Sequence, residues 1–135
     1  MPGMPMNDLE PGSRYLAASG AALAAIAAVL AAAGSHALAG RLSPAELASF
    51  NTAVAFQFVN ALGLFAAAWT RERLPASGLA RASGWLLLAG TLLFCGSVYA
   101  VRLGLSSSAG LTAPIGGSAV ILAWAGLAAA LLRRG

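Results

Sequence analysis

Four long apolar runs, each closed by glycine, proline or arginine, set the pattern of this chain. The first, Tyr15 to Ala33, is long enough to cross a hydrocarbon core of about 30 Å at about 1.5 Å rise per residue. Gly34 offers that helix a stop. Ser43-Pro44-Ala45-Glu46 then has the form of a capping box with proline in the first helical position. A second helix is therefore predicted to begin at Pro44 and to run through Phe50 to Thr70, its first two turns lying at the interface. Arg71 to Gly78 is a charged turn in which Pro75 and Gly78 stop anything helical. A third crossing follows from Ala82 to Val101 and a fourth from Pro114 to Leu132, closed by Arg133-Arg134. With their interfacial turns the predicted helices cover about 15–35, 44–70, 80–104 and 113–133, in a transmembrane domain of residues 14–135. Residues 1–13 are rich in proline, glycine and methionine and lack periodicity, so a mobile tail is expected there. The predicted fold class is all-α, an integral membrane four-helix bundle.

Composition supports that reading. Of 135 residues, 59% are hydrophobic and only 9% charged, and mean hydropathy is +0.80, far from the roughly one-quarter charged residues of soluble domains. The net charge of +4 does not imply a nucleic-acid partner, because the arginines stand singly or in small groups at the ends of apolar runs. They read instead as topology determinants. Six of them (Arg14, Arg71, Arg73, Arg81, Arg133, Arg134) fall on one side of a four-crossing chain and two (Arg41, Arg102) on the other, so both termini are expected in the cytoplasm. Arg14, the first run and Ala37-Leu38-Ala39 also have the outline of a signal peptide. That run exceeds the usual 7–15 or so apolar residues, however, and Asp8 and Glu10 precede it, so we read it as the first crossing.

Small residues predict how the helices approach one another. Gly20, Ala24, Ala28 and Ala32 recur every four residues of the first helix, which should leave a flat face directed into the bundle and make this helix central. Gly90 and Gly96 keep the third helix slim, and Gly116 and Gly117 do the same at the start of the fourth. The glycine pair lacks the longer spacing of a phosphate loop.

Candidate chemistry is sparse. One cysteine, Cys95, allows no intrachain disulfide, and with a single histidine no protein-only metal site of the usual nitrogen and sulfur ligands can be built. No metal or other cofactor is expected. His36 lies just past the first helix, where it can cap the last carbonyls, bond into a site in the bundle or ligate a metal or haem. Gln57 and Asn60 are three apart and hence on one face of the second helix, where amides that deep should face the bundle, either to bond across helices in packing or to form a ligand site. Four crossings bring the end of the first helix, the start of the second, the end of the third and the start of the fourth to one leaflet. His36, Gln57, Asn60, Ser97, Tyr99 and Thr112 are therefore expected in one polar neighbourhood in the outer half of the membrane.

Gly-Ser-His after an Ala-rich first helix, Phe-Gln-x-x-Asn, Phe-Cys-Gly-Ser-Val-Tyr and Thr-Ala-Pro-Ile-Gly-Gly occur in that order. This series resembles the small bacterial membrane proteins of the DUF423 group, which are similar in turn to the eukaryotic transmembrane protein 256 family. The resemblance covers Tyr15 to Leu132. It is most specific where Gly96, Ser97 and Tyr99 match the family's Ser-Gly-Ser-Leu-Tyr, and Thr112, Pro114, Gly116 and Gly117 its Thr-Pro-Ile-Gly-Gly. Two departures stand out: the family's Gly-Ala-Phe-Gly-Ala-His is here Ala31-Ala32-Ala33-Gly34-Ser35-His36, and its second-helix histidine falls on Asn60. A two-histidine site in relatives would thus be half absent here. The resemblance implies the four-helix membrane fold and brings no activity with it.

Transporters and membrane enzymes usually keep an ionisable residue deep in the bundle, and the cores of all four runs lack Asp, Glu, Lys and Arg. The expected function is that of a non-catalytic structural or accessory component, packing on itself as a homo-oligomer or on a larger membrane protein complex. Binding or transport of a small molecule through the outer-leaflet polar cluster is the second reading, and a membrane enzyme the third.

Overall fold

A computed structural model describes residues 8–133. Helix α1 is Pro11–Ser35, α2 Pro44–Arg73, α3 Gly78–Arg102 and α4 Ala113–Arg133, with a 3-10 turn at Ser108–Leu111 before α4. All four crossings are long and apolar enough to span a membrane, and the fold is all-α. Buried backbone groups find no water in hydrocarbon, so each span satisfies its own N–H and C=O groups as a continuous helix.

Local chemistry accounts for the helix ends. Ser43 Oγ accepts from the Glu46 N–H at 3.2 Å and Glu46 Oε1 accepts from the Ser43 N–H at 3.3 Å, the reciprocal capping box at the head of α2. At the far end of α3, Gly104 takes φ 74°, a left-handed conformation that glycine adopts without a Cβ penalty. The Leu105 N–H then bonds to Ala100 O at 2.8 Å and the Gly104 N–H to Val101 O at 3.2 Å, which closes the helix in a Schellman turn.

Three sequence expectations change. Helix α1 starts at Pro11, inside the expected mobile tail, because proline suits the first helical turn and Glu10 is tied down; residues 1–7 of that tail lie outside the described residues. Gly34 does not itself cap α1 but lies buried in its last turn, one residue before the helix ends at Ser35, against the Phe50 ring and the Asn51 side chain. Helix α1 is not central either. Half of the most apolar stretch of α2 is buried, against 22% of that of α1.

Each helix packs on its neighbour in sequence, while α1 and α4 make no contact among the described residues. Helices α2 and α3 therefore form the middle, with α1 flanking α2 and α4 flanking α3. Because α1 touches α3 only marginally, and α4 touches α2 only marginally, a cleft opens on each side. Leu16, Leu23, Leu64, Leu87, Val120 and Leu127 belong to the main apolar core, and Ala27, Phe50 and Val54 form a second cluster nearer the α1–α2 turn.

The inward face of α1 is Leu16, Gly20, Leu23, Ala27 and Gly34, with Ala24 half-buried and Ala28 and Ala32 exposed. A strict four-residue repeat advances about 40° beyond each turn of a 3.6-residue helix, so the expected stripe winds off the interface after Ala24. Gly20 does need to be small: a Cβ there would lie 2.6 Å from the Ala61 carbonyl oxygen. Between α3 and α4 the closest approach is at Gly90 and Gly116, where a Cβ on Gly116 would lie 2.5 Å from the Phe94 nitrogen. Gly117 lies more loosely on the Phe94 ring. Gly96, in contrast, packs on no other helix; a Cβ there would meet nothing within 4 Å.

Candidate functional site

Gln57 occupies the middle of α2, about 20 Å from Pro44 along the axis. An amide at that depth must find partners, because its donors and acceptors cost several kcal/mol unpaired in hydrocarbon (roughly 2–7). Only 2% of Gln57 is exposed. Its Nε2 donates to the Leu23 carbonyl of α1 at 2.8 Å, and its Oε1 accepts from the Tyr99 hydroxyl of α3 at 2.7 Å. Two features admit this geometry. Ala27, one turn beyond Leu23, has no long side chain to cover the Leu23 carbonyl, since helical side chains lean toward the preceding turn. Phe50 supports the Tyr99 ring at 5.4 Å between centroids. One side chain of the central helix thereby bridges both of its neighbours.

Asn60 faces the opposite cleft. Its Nδ2 donates to Phe56 O at 2.8 Å, and its Oδ1 accepts from Trp124 Nε1 of α4 at 2.9 Å. Three residues along a helix fall about 60° short of a full turn, enough to send Gln57 toward α1 and α3 but Asn60 toward α4. A third pair joins α3 to the head of α4: the Ser97 and Thr112 hydroxyls touch, one giving its proton to the other while the remaining hydroxyl bonds a carbonyl of its own segment, Leu93 O or Ala109 O. Five of the six sequence candidates therefore enter three separate bridges: Gln57 and Tyr99 share a bond, as do Ser97 and Thr112, while Asn60 pairs with Trp124. His36 belongs to none of them; it is exposed, and its side chain makes no hydrogen bond among the described residues.

Several partners escaped the sequence reading. Trp124 lies mid-helix, away from the interfacial belt where membrane tryptophans gather, and an indole N–H at that level needs an acceptor. That depth signals the need for an acceptor, and the fold supplies it in Asn60. Thr91 bonds back to Leu87 O at 2.7 Å, and the buried Cys95 thiol points at Ala53 O at 3.5 Å. At the end that carries most of the arginines, Arg71 forks onto the Glu10 carboxylate, with Nη2 to Oε1 at 2.9 Å, and Glu72 Oε1 accepts from the Glu10 N–H at 2.9 Å. The hydrogen bonds from Arg71 hold the Glu10 carboxyl below the usual glutamate range. At the opposite end Arg102 Nη1 stands 4.0 Å from Glu46 Oε2.

Residues 30–117 match the family described as "Protein of unknown function (DUF423)". The chain belongs to this family. The match takes in all six polar candidates and stops short of Trp124. Among relatives of the DUF423 chain is the "UPF0382 membrane protein YwdK" of Bacillus subtilis (strain 168), 37% identical over 105 residues that cover 78% of this chain and 85% of the relative. The "UPF0382 membrane protein SERP0230" of Staphylococcus epidermidis is 32% identical over 100 residues, covering 74% of this chain and 80% of its own length. No solved structure matches the chain. Family and fold together make this a small polytopic membrane protein.

Proposed function

We propose that this protein is a non-catalytic structural or accessory component of the bacterial inner membrane, both termini cytoplasmic, that packs on itself or on a larger membrane complex. The observation that carries the reading is the use made of its interior polar groups. Gln57, Asn60, Ser97, Tyr99 and Thr112 tie one segment to another, and the charged residues of the described helices all lie near helix ends. Proton relays, ion paths and catalytic groups in membranes usually need an ionisable side chain deep in the interior. Apolar side chains such as Val29, Val59, Leu62, Ile121 and Leu122 cover the outside, a surface suited to lipid or to another membrane helix. The arginine asymmetry of six against two supports the orientation.

Native mass spectrometry after extraction in a mild detergent tests the role. An oligomer or a hetero-complex of fixed stoichiometry is expected. A strictly monomeric protein across several mild detergents and in nanodiscs would refute it.

A further inference from the structure

The cleft between α1 and α3 has about 180 Å³ of space and is almost wholly apolar, with a narrow polar spot on its floor. Gln57, Thr91 and Tyr99 reach the floor, Ile26 and Leu92 form the sides, and Gly96 leaves the rim open. Few of these groups have a donor to spare. The Thr91 hydroxyl is given to Leu87 O and the neighbouring Cys95 thiol to Ala53 O. Gln57 is different: a primary amide carries two N–H donors, and Leu23 O takes one of them. Among the described residues the second has no protein partner, although the side chain is almost wholly buried. Tyr99 donates its proton to Gln57 and keeps its own oxygen lone pairs free. The 2.7 Å bond between the two residues keeps the Gln57 amide next to the Tyr99 oxygen.

A hydroxyl group matches both, accepting from Gln57 Nε2 and donating to the Tyr99 oxygen. A charged head does not match, because no ionised side chain lines the cleft and an unpaired charge is expensive to bury. The space equals about six water volumes at roughly 30 Å³ each, enough for a small head and the first carbons of a chain, which then leaves past Ile26 and Leu92 into the bilayer. We propose that the α1–α3 cleft is a binding site for the neutral hydroxyl head of a membrane lipid, held by Gln57 and Tyr99. This site is independent of the accessory role above, since it lies within one chain.

The test uses the full-length protein in nanodiscs and a photoreactive dodecanol with a diazirine on its chain, with the labelled residues mapped by mass spectrometry. Labelling is expected at the cleft walls, Ile26 and Leu92. Unlabelled dodecanol should displace it about tenfold more effectively than dodecane, a factor equivalent to about 1.4 kcal/mol. Gln57→Leu should abolish that preference. Gly96→Leu provides the arm that does not depend on a buried substitution: with open space at its Cβ it should melt like the parent, yet fill the rim and bring labelling at Ile26 and Leu92 to background. Equal competition by dodecane and dodecanol would overturn hydroxyl recognition, and undiminished labelling in Gly96→Leu would overturn the site itself.

Discussion

Removing the Tyr99 hydroxyl and the Gln57 amide, singly and together, measures the central bridge of this membrane protein. In Tyr99→Phe, Gln57 Oε1 loses its 2.7 Å donor while the residue stays 2% exposed, and a buried acceptor stripped of its partner costs about 1–3 kcal/mol. In Gln57→Leu the bond to Leu23 O also goes, but that carbonyl keeps its helical N–H, so the added loss is modest. Once Gln57 is leucine, Tyr99→Phe removes a hydroxyl that no longer has this acceptor and should cost almost nothing. The two losses therefore fail to add. Side-chain bonds in membranes couple by about 0.6 kcal/mol on average and up to about 1.7, and this pair should lie in the upper half of that range because both side chains are held from other elements. Reversible unfolding by dodecyl sulfate in mixed micelles, followed by the fluorescence of the three tryptophans, gives the four free energies. Additivity within about 0.3–0.5 kcal/mol, with neither single variant destabilised, would refute the bridge.

Leucine at Gly20 should destabilise by about 1–3 kcal/mol, because the Ala61 backbone cannot retreat, whereas Ala28→Leu should be neutral; equal effects in thermal melts would contradict the facing of α1. Trp124→Phe strands Asn60 Oδ1 and should lower stability, while the same change in an Asn60→Leu background should cost less, as read by the same dodecyl sulfate titration. The Glu10 carboxyl is held below its ordinary value of 4.5, so the stabilisation it brings is present above that pH and is lost as pH falls through the lower folded value. Melts of the parent and of Glu10→Gln should converge below pH 4.5 or so, and a constant gap down to strongly acid pH would count against the Arg71 pairing. A C-terminal alkaline phosphatase fusion should be inactive and a fluorescent fusion bright; the opposite pattern would invert the orientation.

The four spans, the capping box that opens α2 and the proline-led head of α4 could all be read from the chain alone. The physical reason is that a backbone in hydrocarbon must bond to itself, so any apolar run of sufficient length becomes a helix whatever its neighbours do. Caps are equally local, since Ser43 and Glu46 satisfy each other within one turn.

Facing was another matter, because lipid and a neighbouring helix are both apolar and hydrophobicity does not distinguish the two sides of a span. Ala28 and Gly96 look like packing residues in the sequence but face outward, while Gly34, expected to end a helix, is packed in the last turn of one. Only the tertiary arrangement separated Gln57 from Asn60, gave Asn60 its partner in Trp124, and brought Glu10 to Arg71 across 61 residues. Each of these pairings depends on which helix stands beside which, and on rotations of a few tens of degrees about their axes, quantities that the period of a sequence leaves open once every face is apolar.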